Sequence, residues 1–278
     1  MPNPPVPSVD LATLSWRQGD YTLTPSTFVY KIDPALPLDE PSREAVALDP
    51  EAEHPEDPVD GWMVISQTCD IVKKCHNRPY VEVAPLVVLN EGLYPKAVRG
   101  VLQRYATVPA LAPTRQAADL ERIMTVEKSL LAQWPRSVGC QTDSERRTLA
   151  KLLARKRNRP ALPDEFPAWF APVRERLEYG ENNPETPEGE TVAAIEEILV
   201  QPSPNWGAMR ISVSVWFVLK QGAARLDRSR VLQSWLDLLA PRDQFAEGKG
   251  AIIFLEDLTA RDYVDSDRLD LDHMSPGD

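Results

Sequence analysis

Residues 61–70 read Gly61-Trp62-Met63-Val64-Ile65-Ser66-Gln67-Thr68-Cys69-Asp70, and this stretch decides the fold of the first half of the chain. A glycine opens it, four apolar residues of buried-strand length follow, and a polar corner ends it. Upstream, Thr27-Phe28-Val29-Tyr30-Lys31-Ile32 is rich in β-branched and aromatic residues, so residues 14–32 read as strands with a turn at Gly19-Asp20. Downstream, Pro79-Tyr80-Val81-Glu82-Val83-Ala84-Pro85 sets Tyr80, Glu82 and Ala84 against Val81 and Val83, the alternation of a strand. Residues 98–111 and 120–134 add further strands, or a strand followed by a helix. Between the strands, residues 33–60 carry six prolines and ten carboxylates against the single Arg43. Such composition buries little apolar surface, and the expectation is a mobile acidic loop.

Beyond residue 134 the pattern turns helical. Thr142-Asp143-Ser144-Glu145 has the spacing of a capping box, and Leu149, Leu152 and Leu153 share one face of the helix that follows. That helix carries Arg146, Arg147, Lys151, Arg155, Lys156, Arg157 and Arg159, the one basic patch of the chain. A second helix, about 164–179, shows Phe166, Trp169, Phe170, Val173 and Leu177. Residues 180–190 read as an acidic linker. Met209, Ile211, Val213, Val215, Phe217 and Leu219 then recur with period two, as in a strand with one buried face. Val231, Leu232, Trp235, Leu238 and Leu239 have helical spacing, and 251–255 form a last strand.

The fold class expected is therefore α+β. An N-terminal β-rich domain spans 12–134 with the acidic insertion at 33–60, and a helical segment spans 142–180. A small β-β-α-β unit occupies 192–256 and an acidic tail 257–278.

The chain has 278 residues, more than one ordinary core needs. No stretch approaches the roughly 18 apolar residues of a membrane span. The Pro-rich start has no basic segment, which argues against a signal peptide. Three cysteines, Cys69, Cys75 and Cys140, fit free thiols in a reducing cytoplasm. The net charge of −11 disfavours nucleic acid, whose phosphates bind lysine and arginine, and favours a protein partner or a small ligand.

In order, Arg17-Gln18-Gly19-Asp20-Tyr21, then Gly61 to Ser66, then Arg78-Pro79-Tyr80-Val81-Glu82-Val83-Ala84-Pro85-Leu86 resembles the MazF/PemK family of toxins. The resemblance covers residues 14–88, about a quarter of the chain, and implies an SH3-like β-barrel at the N-terminus. Family members cut single-stranded RNA. Their catalytic arginine precedes the apolar strand, where this chain has Asp60. Their catalytic threonine follows the Pro-apolar pair, where this chain has Val87. A carboxylate repels the charge that an arginine would stabilise, and valine has no hydroxyl to position. The resemblance thus implies a barrel without the ribonuclease chemistry. Such barrels serve as regulatory parts of bacterial stress and anti-phage systems.

The corner after the apolar strand is the next candidate site. Cys69 beside Asp70 could be a nucleophile or a ligand, although a carboxylate neighbour makes a thiol less reactive. A small buried Cys69 with Asp70 capping a turn is the alternative. Arg17 and His76 complete the catalytic candidates. Cys-x5-Cys-His at 69–76 is not a common zinc spacing, so no metal is expected. No glycine-rich phosphate loop appears and no cofactor is expected. The interaction candidates are Ser66, Gln67 and Asp70, with Arg147, Lys151 and Arg155 of the basic helix. That helix could touch nucleic acid, an acidic partner or the chain's own acidic loop, or be a solvated face. The function expected is a non-catalytic regulatory or protein-binding component of a bacterial stress-response or anti-phage pathway. The alternatives are an endoribonuclease with an altered site, using Arg17, Ser66, Thr68 and His76, and an enzyme centred on Cys69 and Asp70. A protein partner is expected and no membrane. Self-association is left open.

Overall fold

The computed structural model describes residues 6–100, 102–157, 162–223, 228–246 and 248–269. The chain divides into two compact units, 1–158 and 159–278. The first contains α1 (Val6–Thr13), β1 (Tyr21–Thr22), β2 (Ser26–Val29), α2 (Glu40–Leu48), β3 (Glu56–Val59), β4 (Trp62–Val64) and α3 (Thr68–Ile71). It continues through β5 (Tyr80–Val88), α4 (Leu93–Val98), β6 (Tyr105–Ala106), β7 (Gln116–Asp119), β8 (Met124–Glu127), α5 (Lys128–Leu131) and α6 (Asp143–Arg157). The second contains α7 (Phe166–Asn182), α8 (Pro187–Ala194), β9 (Ile195–Ser203), β10 (Ser212–Leu219), α9 (Arg228–Leu236), β11 (Lys249–Phe254), α10 (Ala260–Val264) and β12 (Asp267–Arg268). Helices and sheets in both units make the chain α+β. Among the described residues no helix is long and apolar enough to cross a membrane.

The antiparallel sheet of the first unit is built on β5. Val83 pairs with Val64 of β4 on one edge and with Met124 of β8 on the other. Farther along, Leu86 pairs with Ala118 of β7 on the same edge as β8. The strand path β1-β4-β5-β7-β6 is open, ending at β1 and β6 among the described strands. Both faces of this sheet are buried. Trp62, Val64, Val81 and Val83 enter one core with Trp16, Phe28 and Trp134. Met63, Ile65, Ala84 and Leu86 enter a second core beneath Leu149 and Leu152 of α6. This explains why the run at 62–65 is unbroken: alternation disappears when neither face meets water. Each large side chain fully buried here contributes about 1.5–3 kcal/mol.

The acidic segment 33–60, read from its composition as a mobile loop, contains α2 and β3. Asp39 caps α2 by accepting from the Ser42 N–H at 2.9 Å, and the Tyr30 hydroxyl donates to the same carboxylate at 2.8 Å. The segment's end becomes β3, which pairs with β2. Asp57 of β3 forms an ion pair with Arg122. Arg122 also donates to Asp119 at 3.1 Å, and Arg104 donates to Asp119 through two nitrogens at 3.0 and 2.8 Å. Burial pushes the Asp119 carboxyl upward, but Arg104, the Glu121 N–H and Arg122 outweigh it and hold it below the ordinary value. Composition along the chain does not show the arginine and tyrosine side chains that meet these carboxylates in the fold.

The helical segment 142–180 divides between the two units. Its capping box forms: the Glu145 N–H donates to Thr142 Oγ1 at 3.2 Å, and the Thr142 N–H donates to Glu145 Oε2 at 3.3 Å. Leu149 and Leu152 anchor α6 in the first unit, whereas Phe166, Phe170, Val173 and Leu177 of α7 fill the core of the second.

In the second unit the sheet order is β11-β10-β9-β12, with β10 and β11 parallel across α9. Val213, Val215 and Phe217 of β10 face Trp235 and the aromatic side of α7. The strand begins at Ser212, later than the period-two pattern suggested. Met209 is exposed, and Ile211 bonds through its N–H to Gln244 O instead of a ladder partner. The stretch read as an acidic linker and the one read as an acidic tail both hold structure. Residues 180–190 contain the end of α7 and the start of α8, where Thr186 Oγ1 accepts from the Gly189 N–H at 3.0 Å. The tail contributes α10 and β12, and Leu269 is buried in the core. Its residues 270–278 lie outside the described residues.

Candidate functional site

The corner after β4 is fixed from three directions. The Ser66 hydroxyl accepts from the Glu82 N–H at 2.7 Å, joining the corner to β5. The turn Arg17-Gln18-Gly19-Asp20 packs beside it. The Gln18 N–H donates to Thr68 Oγ1 at 3.1 Å, and Gln18 Nε2 donates to Ile65 O at 2.8 Å. Gly19 sits at φ +89°, where a side chain would be strained and would also strike Leu149. Beneath the corner, the buried Lys128 donates through Nζ to Asp70 O at 3.0 Å and Lys73 O at 2.6 Å. A cation at these carbonyls satisfies acceptors that the short α3 leaves open. Burial holds the Lys128 ammonium below its ordinary pKa, against the pull of Cys75, Asp10 and Asp70.

The corner forms one wall of a cleft of about 540 Å³. Tyr80, Glu82 and Thr125 form its floor, since Glu82 and Thr125 are cross-strand partners on one face. The opposite wall is α6, which presents Ala150, Leu153 and Ala154. Cations stand at the mouth. Arg157 Nη2 lies 3.2 Å from both Glu82 carboxylate oxygens, and Lys156 pairs with Glu121 at 3.2 Å. On the corner side, Asp70 binds Lys73 at 2.9 Å, with Arg78 Nε more loosely placed at 4.0 Å. Lys73 first, then its neighbouring cations, hold the Asp70 carboxyl below its usual value despite some desolvation. A volume of this size accommodates a small molecule or a few residues of an extended chain.

Ser66, Gln67 and Asp70 all line this cleft. The basic helix meets it through Lys156 and Arg157, not through the three residues singled out from the sequence. Arg147 and Lys151 are exposed elsewhere on α6, and Arg155 donates to Gly100 O. Cys69 is exposed, with Sγ 3.6 Å from Gln67 Oε1, and does not line the cleft. His76 is exposed and also outside it. Cys75 carries a perturbed thiol. Burial first, then hydrogen bonding to Asp10, pushes it up to about 11, which makes it a poor nucleophile at neutral pH. Arg17 belongs to the turn: its guanidinium donates to Leu14 O and Trp16 O. Asp20 of that turn is a buried anchor, bound by Arg136 Nε at 2.6 Å. Among the described residues no group of three or more His, Cys, Asp or Glu is placed to hold a metal ion.

The sequence reading missed Gln18, Arg78, Tyr80, Glu82 and Arg157 as site residues. Arg78, Tyr80 and Glu82 stood in view as parts of a strand. Their alternation placed Tyr80 and Glu82 together on one face, but nothing local revealed that α6 would cross that face. Comparison of the chain with protein-family models, curated proteins and solved structures gives no match.

Proposed function

We propose that the first unit is a non-catalytic binding module, an opened relative of the SH3-like barrel of the MazF/PemK toxins. In this reading it serves as the regulatory, protein-binding part of a bacterial stress-response or anti-phage system. The observation that carries it is the cleft itself. The 66–70 corner and the end of the basic helix converge there, and Ser66, Asp70, Glu82 and Arg157 are hydrogen-bonded or ion-paired rather than arranged as a nucleophile with its base. The positions that align with the toxins' catalytic pair also support it. Asp60 and Val87 stand at those positions, a carboxylate and an apolar side chain in place of the arginine and the threonine. The free thiols of Cys69, Cys75 and Cys140 support a cytoplasmic location.

A photo-crosslinking residue at Thr125, introduced in the native host, tests the reading. A specific protein adduct is expected at Thr125, none at the exposed Arg147, and loss of the adduct when Ala154→Trp fills the cleft. A monomeric protein that forms no cleft-dependent adduct rejects it.

One observation favours a second reading, an altered endoribonuclease: Arg78, Lys156 and Arg157 gather at a single cleft. Overproduction separates the two. Arrested growth with fragmented RNA supports the nuclease, and normal growth with intact RNA rejects it.

A further inference from the structure

We propose that the cleft recognises an extended peptide of a partner protein through an acidic side chain lying beside an apolar one, with Arg78 and Arg157 receiving the carboxylate. This rests on the docking reading above and names its chemistry.

The two exposed arginines of the cleft keep donors to spare. Asp70 is already held by Lys73 at 2.9 Å, so the 4.0 Å contact leaves Arg78 with most of its guanidinium unspent. Arg157 contacts Glu82 through Nη2 alone, at 3.2 Å to each oxygen, which leaves Nε and Nη1 to spare. The two arginine side chains are 59% and 63% exposed, and ion pairs of that exposure are weak enough to exchange. An incoming carboxylate can take the fork of either arginine in two parallel bonds, a geometry their present partners do not supply.

Local charge points the same way. The cleft lining holds three cations, Arg78, Lys156 and Arg157, and two carboxylates, Asp70 and Glu82. It is net positive in a chain of net charge −11. Long anions are disfavoured by that overall charge. Single-stranded nucleic acid also stacks successive bases on aromatic platforms, and among the described residues of the lining Tyr80 is the one aromatic group. A peptide brings a single carboxylate, and its apolar neighbour can rest on Ile123 and Leu153.

Selection from a random peptide display library on the full chain tests this. Winning peptides are then measured by fluorescence anisotropy against the native protein and variants whose folding is checked by thermal melts. The expected result is enrichment of Asp or Glu next to an apolar residue. Replacing that acid by its amide, or Arg78→Gln or Arg157→Gln in the protein, then weakens binding about tenfold. Arg157→Lys, which keeps the charge and loses the fork, falls between and replaces the Gln variant should that one unfold. Peptides blocked by Ala154→Trp but showing no acidic preference overturn this inference and leave the docking reading standing. Peptides indifferent to Ala154→Trp, or no selected peptide, overturn both. A single-stranded oligonucleotide that binds in an Ala154-dependent manner and displaces the peptide assigns the cleft to nucleic acid and also overturns it.

Discussion

The backbone N–H of Gln18 donates to Thr68 Oγ1 at 3.1 Å, tying an N-terminal turn to the corner fifty residues later. With the Gln18 side chain on Ile65 O, this bond sets one end of the cleft. Thr68→Val keeps the shape and removes the acceptor, leaving a partly buried N–H unpaired. The expected cost is about 1–3 kcal/mol in urea unfolding, with Thr68→Ser close to the native value.

Asp119 is the fully buried hub of Arg104 and Arg122. Asp119→Asn leaves both guanidiniums short of a counter-charge, and the expected loss is about 3 kcal/mol. The Asp119 carboxyl lies below its ordinary 3.8 in the folded chain. Its contribution is therefore present above the unfolded value and disappears as pH falls through the folded one. Urea unfolding from pH 6 to pH 3 should show a smaller acid loss in the variant than in the native chain.

Alkaline pH tests the buried thiol. Burial, then Glu145, pushes Cys140 up to about 11 from an ordinary 9.0. The unfolded chain loses this proton first, so the contribution is complete below pH 9 and declines toward pH 11, by at most about 3 kcal/mol. Comparing native and Cys140→Val unfolding at matched pH cancels the opposite trend of Lys128. A native curve that declines no faster than the variant's would contradict this assignment.

Cys69 is exposed outside the cleft. Cys69→Ala should shift stability by less than about 0.5 kcal/mol and leave peptide binding unchanged. A large loss in either measurement would return the thiol to the centre of the site.

The sequence by itself determined those elements whose signal is local. The capping box at Thr142 and Glu145, the apolar run at Trp62 and the period-two strand around Val213, Val215 and Phe217 could all be read because neighbours along the chain specify them. The 66–70 corner was legible as a candidate site for the same reason: a polar cluster ended a buried strand, and Ser66, Gln67 and Asp70 line the cleft. Tertiary structure alone decided how the acidic residues were used. Asp39, Asp57 and Asp267 bind Tyr30, Arg122 and Trp206, partners between 9 and 65 positions away, so a tally of carboxylates reads as disorder what pairing makes structure. It also decided which end of the basic helix meets the cleft. Leu149 and Leu152 bury one face of α6 against Ala84 and Leu86, and that rotation delivers Arg157 to Glu82 while turning Arg147 and Lys151 to water. Hydrophobic periodicity announces that a helix has a buried face. Which strand that face covers, and so which charges meet across it, is fixed only when the chain closes on itself.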